Sequence, residues 1–406
     1  MPTASVEFDP FSDVFFEDPY PTYRRLRDEA PVYMNEKYGF VALSRYADVV
    51  RAHRDWDTFS SAHGVELGTL SSGGPVPEPV SMIMMDPPAH NHMRALVNRV
   101  FTPRAVAELE RMVRDVVSGY LHELDGQTTF DAVTDIAGPF PVEVICTLLG
   151  VPAEDRQQIR HQVDLMLHRE PGELRPTEEG SAAAVAFGAY LYDLVVDKRA
   201  HPSDDLLSEL CMVEAVRDDG GRSRLDDVEI TGFAALLAAA GSETVTKLVG
   251  SAVVLFARNP DEWRKVLTDP AVIPGSVEEV LRFWPPSQYQ GRFSVRESEL
   301  HGVTIPEGLP VLLLTGAATH DEREFEDPDR FDVERVPGMA LGFGHGIHTC
   351  LGAALARLES RVVIEEWSRR WPEFEVDESR LERVHMANVA GYSSVPVAVG
   401  QAAIRA

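Results

Sequence analysis

Phe343-Gly344-His345-Gly346-Ile347-His348-Thr349-Cys350-Leu351-Gly352 is the stretch on which the reading of this chain turns. Its cysteine stands immediately before a segment of helical period, 351–370. A helix N-terminus carries positive partial charge and unpaired N–H groups, and both favour a thiolate. A thiolate is a soft metal ligand. Gly344 and Gly346 remove two side chains, so the backbone can approach a flat ligand closely. Phe343 offers an apolar face to shield a sulfur. The plain alternative is a buried, inert cysteine, which most free cysteines are.

The rest of the chain narrows the choice. Its 406 residues suit two or three domains, or one large one. With 44 % hydrophobic and 8 % aromatic residues it can bury a sizeable core, which excludes a disordered chain. Lys plus Arg is 38 against 65 for Asp plus Glu, a net charge of −27. That argues against nucleic acid as a partner. An anionic ligand must be held by local basic residues, against the overall field. Cys146, Cys211 and Cys350 are the three cysteines, and no CxxC occurs. This excludes a disulfide framework, a zinc ribbon and covalent c-type haem attachment. The acidic start, MPTASVEFDPFSDVFFEDPYP, lacks a basic n-region and an apolar core, so a signal peptide is not expected. No run of 18 apolar residues occurs, so no membrane span is expected, and the cytoplasm is the expected location.

Periodicity gives a mainly α (α+β) organisation. A helix opens at Pro21, and 31–43 alternates like a hairpin. Residues 87–283 are mostly helical, broken by polar Pro/Gly-rich stretches at 71–79, 169–180 and 218–224. The longest helix should begin near Asp226 or Asp227 and run towards Asn259-Pro260, about 48 Å at ~1.5 Å per residue. Residues 291–316 return to strand pattern, 317–349 read as coil, and the tail to 400 is strand-like. One domain over 1–406, without a linker, is the expectation.

Three further constellations stand out. Glu279 and Arg282 are three apart on a predicted helix and share a face. Alone, such a pair is most often a weak surface pair. His90 and Arg94, four apart after Asp86-Pro87-Pro88, also share a face. Ala238-Ala239-Ala240-Gly241-Ser242-Glu243-Thr244-Val245-Thr246 lies midway along the longest helix. A mid-helix glycine costs about 1 kcal/mol against alanine and needs a reason. Thr244 can bond the Ala240 carbonyl and loosen the helix locally. Glu243 supplies an acid.

The loop 343–352 resembles the haem-binding loop of the cytochrome P-450 family, FGxGxHxCxG, at all six specified positions. A chance match is on the order of 10⁻⁵ or less at roughly one in twenty per position. Glu279-Val280-Leu281-Arg282 matches that family's ExxR, DPPAHNHMR its DPPxHxxxR, and Ala240-Gly241-Ser242-Glu243-Thr244 its AGxET. The resemblance covers roughly 15–400. It implies the cytochrome P-450 fold, with a long central helix over haem and small β-sheets, and no fused reductase. Cys350 would ligate the iron. His90, Arg94, Arg292 and His348 would hold the haem propionates, and Phe343, Gly344, Ala240 and Gly241 would line the ring. Glu279 and Arg282 would form a brace with an arginine of the following coil, Arg330 by preference and Arg335 as the alternative. Thr244 and Glu243 would order water and relay protons. Val245 stands where a second threonine is common.

By place, the resemblance puts pocket walls in 61–85, 165–185, 234–240, 286–291 and 387–394. Met82, Met84, Leu237, Ala240, Ser287, Tyr289, Val389 and Ala390 are the candidates. The implied activity is insertion of one oxygen atom from O2 into a C–H bond of a small or mid-sized, largely apolar metabolite. Haem b would be the cofactor. NAD(P)H-derived electrons would arrive through a separate ferredoxin and ferredoxin reductase, docking near Arg99, Arg104 and Arg357. The protein would be a monomer. Desaturation, oxidative coupling or peroxygenation at the same site, and a haem-binding sensor or carrier, are the alternatives.

Overall fold

The computed structural model describes residues 6–72, 80–98, 101–216, 221–336, 338 and 341–400. Its axis is the helix Asp227–Arg258, 32 residues long and with the ends the sequence predicts. Asp226 caps it by accepting from the Glu229 N–H, while the Glu229 carboxylate accepts from the Asp226 N–H. That capping box satisfies two of the otherwise unpaired donors. At the far end Asn259 leaves helical geometry and Pro260 begins the next helix. Among the described residues this is the one helix long and apolar enough to cross a membrane. Here it is the core instead, because the helices Pro139–Leu149, Arg156–Leu167, Glu178–Ala200, Ile273–Phe283 and Ala353–Arg370 pack around it. The largest apolar cluster includes Phe233, Leu237, Val249 and Phe256 of this helix with Phe140, Ile145, Leu191, Val280 and Trp367 of its neighbours.

The strands lie to the sides. A five-stranded sheet runs Val32–Asn35, Phe40–Leu43, Pro310–Leu313, Gln290–Ser294 and Phe59–Ser60. The hairpin read at 31–43 is its edge, with Val32 opposite Leu43. Phe374–Val376, Pro396–Val399 and Thr129–Asp131 form a three-stranded sheet. Of the break read at 218–224, residues 218–220 lie outside the described residues, and Arg222–Arg224 is a strand paired with Glu214–Val216. The break at 169–180 ends inside a helix, since Thr177 caps Glu178–Ala200. Most of the break at 71–79 lies outside the described residues.

The coil 319–352 is what the fold must present with accuracy, since it carries Cys350. Two buried side chains order it. Arg282 pairs with Glu279 through two parallel bonds of 2.7 and 2.8 Å. Its other donors reach the carbonyls of Thr319, Pro328 and Arg330. The third member is Arg335 and not Arg330. Arg335 Nε donates to Glu279 at 3.2 Å, and its terminal nitrogens bond the carbonyls of Glu326, Asp327 and Arg330. The Arg330 side chain is 62 % exposed and 3.6 Å from Asp332, so Arg330 contributes its carbonyl and not its charge. Glu279 and Arg282 are each 3 % exposed. Such a cluster is tolerable in the interior because nearly every donor is met.

Candidate active site

The cysteine loop is two tight turns and a helix start. Leu341–Phe343 and Gly346–His348 are single 3₁₀ turns, and the helix begins at Ala353. The Cys350 N–H bonds the Phe343 carbonyl at 2.8 Å and closes the loop. Gly344 and Gly346 have φ of 67° and 72°, which side-chain-bearing residues rarely adopt. A Cβ on Gly346 would also lie 2.3 Å from the His53 carbonyl oxygen. Close packing on His53 is therefore one reason for that glycine, and it was not legible in the motif.

The Cys350 sulfur is exposed, yet protein surrounds it closely enough to push its thiol up. The Gly352 N–H and the Arg94 and Arg357 guanidiniums pull the other way. Burial is the largest of these effects. The Arg357 guanidinium stacks 4.4 Å over the Phe343 ring and pairs with Glu278. Of the expected docking arginines it is thus committed within the fold. Arg104 is 93 % exposed, 3.9 Å from Glu108. Arg99 lies outside the described residues.

His90, Arg94, Arg292 and His348 converge. The His90 and His348 rings are 4.4 Å apart. Burial first, then the fields of Arg292, His90 and Arg94, hold the His348 imidazole far below its usual range. Arg292 is 4 % exposed, its Nη1 bonds the Gly291 carbonyl, and burial lowers its pKa to about 10. The buried Nε2 atoms of His90 and His348 have no hydrogen-bond partner among the described residues. Gathering two guanidiniums and two imidazoles this way is costly unless an anion joins them. A ligand with two carboxylates and an iron that takes sulfur meets every one of these demands, so the residues fit haem. His53, 3 % exposed beside Arg292 and His345, belongs to the same basic group. Nothing in its helix period singled it out.

The middle of the long helix opens where the sequence placed its small residues. Ala240 is exposed and Ala239, Gly241 and Thr244 are half-buried, within a helix otherwise largely buried on both sides. The Thr244 hydroxyl donates to the Ala240 carbonyl at 2.9 Å. Ser242 and Thr246 bond back in the same way, to Ala238 and Ser242. Gly241 differs from expectation. A Cβ there would meet Ile145 Cγ1 at 3.1 Å, so its absence serves helix packing. Glu243 is 3 % exposed and in ion-pair contact with Lys247.

The pocket candidates separate. The segments 285–290 and 386–390 do meet. Ser287 bridges Val389, the Gln288 N–H bonds Asn388, and the Ala390 N–H bonds Pro286. The end of the helix Arg156–Leu167 joins them, since the Ala387 N–H bonds Leu167 and the Arg169 N–H bonds His385. Val389 packs with Val384, Met386 and Leu167. Met84 is half-buried, while Met82 and Leu237 belong to the main core. Tyr289 is not a wall. It is 0 % exposed in a second core with Phe8, Phe11 and Tyr23, and its hydroxyl bonds the Ala387 carbonyl. Arg169, 3 % exposed and 3.0 Å from Glu66, ties the two sides and was missed.

Comparison with known proteins agrees with this geometry. Residues 193–370 match the family model described as Cytochrome P450. The chain is 39 % identical to "Cytochrome P450 130" of Mycobacterium tuberculosis, over 90 % of this chain and 91 % of that protein. It is 38 % identical to "Vitamin D(3) 25-hydroxylase" of Pseudonocardia autotrophica, over 98 % of each. A solved structure of a mutant of P450 EryK in complex with erythromycin B superposes with a TM-score of 0.86 at 36 % identity, over 94 % of this chain and 96 % of that one.

Proposed function

Because the chain belongs to the cytochrome P450 family of haem monooxygenases, we propose that it hydroxylates a largely apolar, mid-sized metabolite with a polycyclic or macrocyclic skeleton. The convergence of His90, Arg94, Arg292 and His348 beside the accessible Cys350 sulfur carries this reading. The cofactor is haem b, held without covalent attachment. Cys350 binds its iron, Phe343 covers the sulfur, and the four basic residues neutralise its propionates. Thiolate-ligated haem iron supplies the oxygen activation.

The chain's own contribution is position and protons. Ala239 and Ala240 keep the mid-helix flat enough for ring and substrate to lie against it. Thr244 holds a hydroxyl there, and Glu243 moves a proton towards it. Met84, Ser287, Val389 and Ala390 border the substrate, with Ser287 a polar contact in an apolar wall. The substrate preference rests on two relatives whose names mention vitamin D(3) and erythromycin. Electrons come from a separate ferredoxin and its reductase, and the protein acts as a cytoplasmic monomer formed by one domain.

The test is a titration of the purified ferric protein with vitamin D3, erythromycin B, testosterone, a monoterpene, a long-chain fatty acid and an aromatic acid. A low-to-high-spin shift of the Soret band with the secosteroid, steroid or macrolide supports the reading. A shift with the aromatic acid alone overturns the substrate class. With a compound that shifts the band, Thr244→Ala should raise NADH consumed per product by about tenfold or more, a modest part of what a proton-transfer group contributes. Unchanged coupling removes Thr244 from the relay.

A further inference from the structure

We propose that Ser287 meets its ligand only as a hydrogen-bond donor, set that way by Gln290 and Thr315, and so selects a substrate with a carbonyl oxygen at that wall. This deepens the substrate reading above and rests on it. Of residues 285–289, Ser287 alone is not buried. It stands across an isolated bridge from Val389. A serine hydroxyl has one proton to give and two lone pairs with which to receive. Which of these a ligand meets depends on what the protein already uses.

The protein uses the lone pairs. Gln290 Nε2 donates to the Ser287 oxygen at 2.8 Å. Asn388 Nδ2 lies 3.5 Å from the same oxygen. Its identity as the nitrogen end is fixed, because it donates to the Tyr289 carbonyl at 3.0 Å and a carbonyl only accepts. Both neighbours thus present N–H groups to Ser287. Among the described residues the Ser287 proton has no acceptor.

An amide side chain can be turned end for end, so the direction of Gln290 needs a reason. Thr315 supplies it. Gln290 lies opposite Leu313 in the five-stranded sheet, and two residues on Thr315 opens the helix Thr315–Ala318. Thr315 is 0 % exposed, and its hydroxyl donates to Gln290 Oε1 at 2.6 Å. Turning the amide round would put its nitrogen on Thr315. The Thr315 proton would then be buried with no acceptor among the described residues, which is costly. Oε1 therefore stays on Thr315 and Nε2 on Ser287. A ligand carbonyl at Ser287 completes the chain from Thr315 through Gln290, with every proton spent. A ligand N–H there meets lone pairs already taken. Met84, Val389 and Ala390 add no polar side chain, so this one donor orients the skeleton. Ser287 determines specificity, and Gln290 and Thr315 are positioning residues that act through it.

Neutron diffraction of the deuterium-exchanged holoprotein reads these hydrogens without any ligand. A Gln290 deuteron should lie on the Ser287 oxygen and the Thr315 deuteron on Gln290. A Ser287 deuteron directed at Gln290 overturns the proposal. Soret titrations then compare androstane with a set of androstanones, each with one carbonyl at a different ring position. At least one ketone should bind about tenfold more tightly than the hydrocarbon, the share of one hydrogen bond. Ser287→Ala should abolish that ratio and leave the affinity for androstane unchanged. Gln290→Glu should abolish it too, because the carboxylate accepts the Ser287 proton. Thr315→Val should lower it by freeing the Gln290 amide to turn, and Thr315→Ser should keep it. A ratio untouched in Thr315→Val, or a ketone preference that survives Ser287→Ala, overturns the proposal. If androstane and every androstanone leave the Soret band unmoved, the skeleton reading above falls, while the neutron map still decides the Ser287 proton.

Discussion

Cys350→Ser is expected to lose the red-shifted Soret band of a thiolate-ligated ferrous carbonyl and to lower product formation by about a thousandfold or more, roughly 4 kcal/mol of barrier. The fold gives the substitution little else to do. The loop is closed by the Cys350 N–H on the Phe343 carbonyl, which serine retains. The side chain is accessible, so the smaller oxygen leaves no collapsed cavity. What changes is the donor atom. A serine hydroxyl is far harder to ionise than a thiol, in a setting where burial already opposes the charge. Absorbance of the dithionite-reduced, CO-saturated variant checks this, and a thiolate-type band that persists would refute the ligand assignment.

Glu279→Ala should be nearly as damaging, for a reason far from the chemistry. Glu279 accepts from Arg282, from Arg335 and from the Asp332 N–H. Removing it leaves the Arg282 guanidinium, 3 % exposed, with carbonyls but without its counter-charge. Breaking a buried pair from one side costs about 3–5 kcal/mol. That is a large share of the roughly 5–15 kcal/mol that holds a native domain. The loss falls on the coil whose carbonyls the two arginines gather, so haem retention should fail along with stability. Haem content per chain and the urea midpoint measure both. Arg330→Ala should leave both close to wild type, because its side chain lies outside the brace. Arg335→Ala should not.

That contrast shows where sequence reading stopped. Both arginines follow Asp327-Pro328 in a coil without period, so spacing could not choose between them. The choice is made by carbonyls from Thr319 to Arg330, which only the folded coil brings together. Where local rules operate the reading succeeded. Asp226, Glu229 and Asn259-Pro260 mark the ends of the long helix by their own chemistry, and Thr244 reaches Ala240 because both lie on one turn. Gly241 was legible as a glycine needing a reason, but Ile145, the reason, lies on another helix. Tyr289 was placed by its neighbourhood with Ser287, and only the fold shows its ring taken into the second core with its hydroxyl on the Ala387 carbonyl. Lys247 escaped notice because Glu243 and Lys247, four apart, look like any solvated helix pair until the helix is seen to be buried.

The central claim is that this chain inserts one atom of dioxygen into its substrate. Mass spectrometry of the product formed under isotopically heavy dioxygen, with the compound that shifts the Soret band and with redox partners supplied, tests it most directly. The account predicts a product heavier by one labelled oxygen atom, bound at a former C–H carbon. A product that has lost two hydrogens and gained no oxygen, or whose oxygen comes from water, would contradict it.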